Sequence, residues 1–217
     1  MKKLVIFGNG IMAKIMHFYF SRDSQYEVVA FSVHEKYITE KVFCSLPVVP
    51  FEGLEKKYSP RDYEMFVAIG PSQMNSNREK IVKDAKEKGY RLASYFSPRS
   101  NCMSLPGENS FVSDEVTIHP FVTLGNNNYF WDKVFISHDS IIGNHCYFSP
   151  CSIVSTHASI ADNSLVGTAA VVSTNVKVHP KTLVGATCYV SKETIENGVY
   201  GEKSSEFYGA ISGKVKI

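Results

Sequence analysis

The sequence lacks a long apolar run, a block of like charge and a paired arrangement of cysteines. No segment of its 217 residues approaches the roughly 18 consecutive apolar residues that a membrane-spanning helix needs. Lys and Arg number 23 and Asp and Glu 21, giving a net charge of +2, and the lysines are spread along the chain. We therefore expect neither membrane insertion nor the binding of nucleic acid.

Cysteine usage and the start of the chain bear on the compartment. Five cysteines, an odd number without paired spacing, fit a reducing compartment better than a disulfide framework. The basic start and apolar run of MKKLVIFGNG resemble a signal peptide. However, Gly8, Asn9 and Gly10 split the run, and no small-residue cleavage site follows it. We expect a folded, cytoplasmic protein.

The first half of the chain alternates strand and helix signals. The sequence predicts strands at 4–7, 26–31 and 65–69 and a fourth strand at 90–95. Helices are predicted over 11–20 and 75–88, the second of which Gly89 terminates. Alternation of this kind predicts a small Rossmann-like α/β domain with a parallel sheet over residues 1–98.

The second half, residues 99–217, follows a period of six instead. Every sixth residue from Val112 to Val190 is apolar, fourteen positions without an exception, although only 44% of all residues are hydrophobic. Small residues recur directly after these positions and two places before them. This pattern predicts a parallel β-helix of hexapeptide repeats, with three repeats in each triangular coil. A β-sandwich fits poorly, because sandwich strands alternate with period two.

With this order of domains, the chain resembles a known family. It is similar to the hexapeptide-repeat sugar acetyltransferases of the sialic acid O-acetyltransferase and bacillosamine-pathway N-acetyltransferase group. The resemblance covers essentially the whole chain: it rests on the repeats around SHDSIIG and on GNGIMAK, LPVVPFEGLEKKY, MFVAIGPSQMNSNREK and GYRLASYFSPRS. It implies a left-handed β-helix, a homotrimer and acetyl-CoA as the co-substrate.

His138 and Asp139 lie at the centre of the repeats. Since His138 follows the inward Ile136 by two positions, its side chain should point away from the coil interior. The resemblance implies that His138 is the general base and that Asp139 orients its ring. An amine or hydroxyl that attacks a bound thioester must lose a proton, and an imidazole held by a carboxylate is suited to accept it. No acyl-enzyme intermediate is required.

The resemblance assigns four further residues to the acetyl-CoA site: Tyr147, Thr156, Thr168 and Ala186. Tyr147 stands nine residues after His138, where relatives in the bacillosamine pathway carry a second histidine. A tyrosine hydroxyl can donate a comparable hydrogen bond to the acyl group. His145, three positions after the inward Ile142, is expected to face solvent.

A glycine loop follows the first predicted strand. Gly8 to Ala13 fits G-x-G-x-x-A, a pattern that aims backbone N–H groups at a phosphate. A dinucleotide site would need an acidic residue about twenty residues further on, and Glu35 is the candidate. The resemblance favours a nucleotide-linked sugar instead, held by Gly8, Asn9, Gly10, Ser32, His34 and Gly70. Alternatively, the glycines only permit a tight turn.

The resemblance thus implies an acetyl-CoA-dependent N-acetyltransferase that acts on a nucleotide-linked amino sugar in surface-glycan biosynthesis. The resemblance points to a 4-amino-4,6-dideoxy sugar. O-acetylation of a sugar of the sialic acid type is the alternative, and a β-helix without an active site is another. No metal is expected, because His138, His145 and His157 are 7 and 12 residues apart, whereas zinc ligands aligned down the coils would be separated by multiples of 18.

Overall fold

A five-stranded sheet with a helix on each face forms the N-terminal half of the computed structural model, which describes residues 1–201. The strand order is β3-β4-β2-β1-β5, and every pairing is parallel except that of β3 with β4. The elements are β1 (Lys2–Phe7), α1 (Ile11–Asp23), β2 (Tyr26–Val33), β3 (Val42–Phe43), β4 (Leu46–Pro50), β5 (Tyr63–Val67) and α2 (Ser76–Glu87). Short 3-10 turns cover Glu35–Tyr37 and Leu54–Lys56.

The central strand β1 is buried on both faces, as a near-continuous apolar run implies. Leu4 and Ile6 pack in one cluster with the buried face of α1. Val5 and Phe7 pack on the opposite face with residues of α2. The predicted Rossmann-like arrangement of a parallel sheet covered by helices is therefore confirmed.

Two details of the sheet differ from the sequence prediction. The hairpin of β3 and β4 was not foreseen, because Pro47 and Pro50 weaken the strand signal at what is an edge of the sheet. The predicted fourth strand at 90–95 is wrong, since this segment contributes only the bridge between Met65 and Leu92. At Tyr95 the chain already pairs with the second half.

The second half is a left-handed β-helix of two-residue strands, which recur every six residues from β8 to β21. The strands are β6 (Tyr95–Phe96), β7 (Asn101–Cys102), β8 (Phe111–Val112), β9 (Thr117–Ile118), β10 (Thr123–Leu124), β11 (Tyr129–Phe130), β12 (Phe135–Ile136), β13 (Ile141–Ile142), β14 (Tyr147–Phe148), β15 (Ile153–Val154), β16 (Ser159–Ile160), β17 (Leu165–Val166), β18 (Val171–Val172), β19 (Lys177–Val178), β20 (Leu183–Val184), β21 (Tyr189–Val190) and β22 (Val199–Tyr200).

These strands stack into three parallel walls. The first wall contains β6, β8, β11, β14, β17, β20 and β22, the second β7, β9, β12, β15, β18 and β21, and the third β10, β13, β16 and β19. Between β8 and β21, strands 18 residues apart pair with each other, so residues 18 apart lie above one another. The first wall packs on the N-terminal sheet through the aromatic rings of Phe111 and Tyr129.

The predicted inward positions form the core of the β-helix. Thirteen of the fourteen residues are buried, and Leu124 is partly buried against the same cluster. At the corners, every sixth residue from Asn109 to Thr187 has φ between 53° and 64°. Asn and Asp tolerate this left-handed conformation better than most residues, so Asp139, with φ of 58°, also suits its corner for a backbone reason.

The boundary predicted between residues 98 and 99 falls between β6 and β7. β6 is the first strand of the first wall, whereas the division at residues 98 and 99 stays a prediction. The predicted second domain runs to residue 217, and residues 202–217 lie outside the described part of the chain. Within residues 1–201, no helix is long and apolar enough to cross a membrane. The five cysteines all fall in this range and are free.

Candidate active site

His138 and Asp139 lie at the corner between the second and third walls. Their side chains are 47% and 41% exposed, so they point away from the coil interior as predicted. His138 Nδ1 is 2.7 Å from Asp139 Oδ2. Because an ionised carboxylate only accepts hydrogen bonds, Nδ1 donates and Nε2 keeps its lone pair. In the neutral ring, the pair thus presents the Nε2 lone pair at the surface of the β-helix.

Thr156 and His157 of the next coil lie beside this pair. Thr156 Oγ1 is 3.3 Å from His138 Nε2. The His157 ring stands nearly perpendicular to the His138 ring, at 81°, with the two centroids 5.9 Å apart. Of the residues predicted for the acetyl-CoA site, Thr156 is therefore the one that contacts His138 directly.

Thr168 and Ala186 lie one above the other on a different corner, between the first and second walls. Both are exposed, and the backbone N–H of Thr187 donates to the Thr168 carbonyl at 2.8 Å. A Cβ on Gly167 would stand 2.6 Å from the Ala186 nitrogen, so the coils stack too closely here for a side chain. These two residues belong together in the structure, apart from Thr156.

Tyr147 is on β14 of the first wall, across the coil from the His138 corner. Its ring lies 6.2 Å from those of Tyr129 and Trp131, measured between centroids, and burial raises the pKa of the Tyr147 hydroxyl. Within one chain, Tyr147 therefore does not meet His138.

A cleft of about 900 Å³ opens at the carboxyl ends of β1, β2 and β5. Five of the six residues predicted to bind a nucleotide-linked sugar line it: Gly8, Asn9, Gly10, His34 and Gly70. The sixth, Ser32, does not, because it is fully buried in the sheet. Its carbonyl accepts a hydrogen bond from the Gly8 N–H at 2.8 Å and so supports the loop from behind.

The charge of the cleft is positive. Lys36 and Lys80 line it, and no acidic side chain of residues 1–201 does. α1 begins at the rim of the cleft. Its N-cap residue, Gly10, provides no side-chain cap, and the first turn has no acidic residue. The free N–H groups and the dipole of this helix end favour an anion such as a phosphate.

Lys80 and Asn77 line the cleft but were not identified from the sequence. Both are on α2, one turn apart, and face the carboxyl edge of the sheet. The available signal was the position of α2 directly after a strand neighbouring β1, because ligands bind where such strands end. Glu35, the candidate for a dinucleotide site, is exposed and does not line the cleft.

His34 is held in the cleft wall by Glu52. Its Nδ1 is 2.7 Å from Glu52 Oε1, and the backbone N–H of Glu35 donates to Glu52 Oε2 at 3.0 Å. Burial works against the charged carboxylate, but these hydrogen bonds prevail and lower the pKa of Glu52. The ring also packs edge-on against Phe7 and Phe51.

The structure has different consequences for glycine at the two loop positions, 8 and 10. Gly8 has φ of 131°, and a Cβ there would lie 2.9 Å from the Ala68 carbonyl oxygen, so the tight turn requires glycine. Gly10 has φ of −107°, and a Cβ would meet nothing within 4 Å. The backbone does not require glycine at position 10, and the absence of a side chain there leaves room for a ligand to approach the start of α1.

His145 does not face solvent as the sequence analysis expected. Its side chain is only 18% exposed, because α2 covers this corner, and its Nδ1 is 2.7 Å from Asn127 Nδ2. Burial lowers the pKa of His145. Next to it lies the fully buried Arg78 of α2, another residue that the sequence analysis missed.

Among residues 1–201, no group of three or more His, Cys, Asp or Glu side chains is arranged to hold a metal ion. The features described so far define an α/β domain with a positively charged cleft, followed by a left-handed β-helix that carries a histidine-aspartate pair. No protein-family model and no curated protein sequence matches the chain.

Solved structures share the fold. The acetyltransferase domain of PglB from Neisseria gonorrhoeae FA1090 matches 92% of this chain over 96% of its own, with a TM-score of 0.81 and 21% identity. The same domain in complex with acetyl coenzyme A matches 87% of this chain over 92% of its own (TM-score 0.76, 21% identity). An asparagine-for-histidine mutant of perosamine N-acetyltransferase from Caulobacter crescentus, in complex with CoA and GDP-perosamine, matches 92% over 93% (TM-score 0.79, 22% identity).

Proposed function

We propose that this protein transfers the acetyl group of acetyl-CoA to the amino group of a nucleotide-linked sugar. The observation that carries the proposal is the His138–Asp139 pair, in which Nδ1 of the neutral ring donates to the carboxylate, so that the proton is taken up at Nε2. The similar structures agree with it, since they are acetyltransferases, one in complex with acetyl coenzyme A and another with CoA and GDP-perosamine.

The reaction is a direct transfer. The amine nitrogen of the sugar attacks the thioester carbonyl, the C–N bond forms, and His138 Nε2 takes the proton that the amine loses. The C–S bond then breaks, and the proton passes from the imidazolium to the departing CoA thiolate. Asp139 steadies the positive imidazolium between these steps, with its Oδ2 2.7 Å from Nδ1.

The positive cleft of the N-terminal domain holds the nucleotide part of the acceptor in this proposal. Lys36, Lys80 and the start of α1 bind the phosphates, while Gly10 lets them approach the backbone. The sugar carries the reactive amine, which the resemblance places at C4 of a dideoxy sugar. With these two substrates, the protein acts in surface-glycan synthesis in the cytoplasm, where acetyl-CoA is available.

We further propose that the protein acts as a homotrimer. In one chain the cleft lies beside α2, which packs on the corner between the third and first walls through Arg78. His138 lies on the next corner, and Tyr147 on the first wall. A second copy that sets its His138 corner against the first wall and cleft of its neighbour would unite base, acyl-binding residue and acceptor.

The test is a thiol-release assay with acetyl-CoA against UDP-, dTDP- and GDP-linked amino sugars and free sialic acid. Turnover with a nucleotide-linked amino sugar is the expected result, with the N-acetyl product identified by mass spectrometry. Activity on sialic acid alone would replace the proposal with O-acetylation. No turnover with any acceptor would contradict acetyl transfer to these sugars.

Alanine at position 10 is expected to weaken binding of the acceptor sugar without unfolding the protein. Gly10→Ala should raise the KM for the nucleotide-linked sugar roughly tenfold, or about 1.4 kcal/mol, because its Cβ projects where the phosphate approaches. Its free energy of unfolding should change by less than about 1 kcal/mol. The measurements are steady-state kinetics and urea unfolding.

Gly8→Ala is the matched control. It should cost about 1–3 kcal/mol of stability, since residue 8 needs a positive φ and lies against the Ala68 carbonyl. An unchanged KM in Gly10→Ala would contradict close approach of the phosphates to the loop at position 10.

A further inference from the structure

Thr156 contacts the second nitrogen of the His138 ring, on the side away from Asp139. Its hydroxyl oxygen is 3.3 Å from Nε2, while Asp139 Oδ2 is 2.7 Å from Nδ1. Thr156 Oγ1 also lies 2.9 Å from the hydroxyl of Ser137, which is 8% exposed. The imidazole therefore stands in the middle of a continuous chain of four hydrogen-bonded side chains.

The donors in this chain all point in one direction. Asp139 can only accept, so His138 Nδ1 donates to it, and the unprotonated Nε2 must accept from the Thr156 hydroxyl. The Thr156 oxygen then accepts from Ser137. Hydrogen bonds aligned in this way polarise and strengthen one another.

We propose that Thr156 is a positioning residue for His138. The ring is about half exposed, and one hydrogen bond from Nδ1 leaves it free to tilt, whereas contacts at both nitrogens fix its plane. A hydroxyl suits both protonation states, since it donates to the neutral ring and, after turning, accepts from the imidazolium Nε2–H. At 3.3 Å this hydrogen bond is long and therefore weak, so it can break when the acceptor amine binds at Nε2.

This inference rests on the proposed function and gives Thr156 a different role from the coenzyme contact that the resemblance implies. The two roles predict different kinetics. A coenzyme contact made by the side chain would appear in the KM for acetyl-CoA, whereas a residue that orients the base would appear in kcat.

The kinetic test compares Thr156→Val, which keeps the shape and removes the hydroxyl, with Thr156→Ser, which keeps the hydroxyl. In Thr156→Val, kcat should fall roughly tenfold to a hundredfold with an unchanged KM for acetyl-CoA, and Thr156→Ser should retain most of the activity. Thr174→Val is the matched control, because Thr174 lies one coil further along the same corner. Within residues 1–201, its side chain makes no hydrogen bond. A raised KM with normal kcat, or no change at all, would overturn the proposal.

A second measurement needs no substrate. In ¹⁵N-labelled protein, the Nε2 resonance of His138, assigned by its loss in His138→Ala, should shift in Thr156→Val and stay in place in Thr174→Val. An identical Nε2 resonance in wild type and Thr156→Val would overturn the positioning role. If wild type transfers no acetyl group to any acceptor, the proposed function fails, and this resonance still decides whether Thr156 holds the ring.

Discussion

Replacing His138 with alanine is expected to lower kcat/KM by about 10²–10⁴-fold, the usual contribution of a general base. The loss follows from the geometry, because Nε2 of His138 is the unprotonated nitrogen that Asp139 orients and the structure exposes. Folding should be unaffected, since the side chain points away from the core. Initial rates of thiol release with the best acceptor of the panel provide the measurement.

His179→Ala is the matched control for this prediction. His179 is also a β-helix histidine paired with a carboxylate, with Nε2 2.6 Å from Glu193 Oε1, but it lies on the corner between the third and first walls. Its removal should leave activity close to that of wild type. Equal losses in the two variants would mean that the His138 pair has no special role.

Asp139→Asn separates the two functions of residue 139. Asparagine tolerates the left-handed φ of 58° at this corner, so the coil should keep its shape. It cannot steady an imidazolium with a negative charge, so part of the activity should be lost. A variant with full activity would show that the aspartate serves the corner alone.

The β-helix could be predicted because its signal is repeated. Each coil buries a similar side chain at the same step, and fourteen agreeing positions leave little room for another period. The position of His138 relative to the inward Ile136 then predicted that its side chain points outward. The hairpin of β3 and β4 over residues 42–50 was not predicted because its prolines are a local signal against a strand, and the edge position of the hairpin tolerates them.

Contacts between distant segments could not be predicted in the same way. Lys80 reaches the cleft only because α2 packs beside the edge where β1 ends, and nothing in its local sequence marks it. His145 follows the same hexapeptide rule as the exposed corner residues, yet the N-terminal domain covers it. A repeat defines which side chains leave the coil, but the neighbouring domain decides which of them meet solvent.

Replacing Arg78 with methionine is expected to lower the free energy of unfolding by about 2–4 kcal/mol. Arg78 is fully buried between α2 and the β-helix. Its Nη2 donates to the carbonyl oxygens of Asn127, His145 and Cys146 at 3.1–3.2 Å, and its guanidinium lies 4.2 Å from the centroid of the Tyr129 ring. Removing it leaves the Asn127 and His145 carbonyls without this donor, at a cost of about 1–3 kcal/mol each, whereas the Cys146 carbonyl keeps the Tyr129 N–H.

An opposing effect limits the loss. Burial lowers the pKa of Arg78, which means that keeping the charged guanidinium there is itself unfavourable. Methionine avoids this cost and fills part of the volume. The unpaired acceptors dominate, because they belong to rigid coils that cannot turn them towards water.

Urea unfolding followed by circular dichroism and by fluorescence of Trp131, the single tryptophan, would measure the effect. Trp131 packs against the N-terminal cluster, so it reports on the contact between the two halves. Arg91→Met is the control: Arg91 is 76% exposed and 3.9 Å from Glu64, and its loss should cost less than about 0.5 kcal/mol. A change below about 1 kcal/mol in Arg78→Met would contradict the prediction.

The same variant should also affect the two substrates unequally. Asn77 and Lys80 flank Arg78 on α2 and line the cleft, whereas His138 lies on a different corner of the β-helix from the one that Arg78 contacts. If Arg78 anchors α2, then the folded fraction of Arg78→Met should show a raised KM for the nucleotide-linked sugar and a nearly normal KM for acetyl-CoA. A general loss of folded protein would lower the rate with both substrates and leave both KM values unchanged.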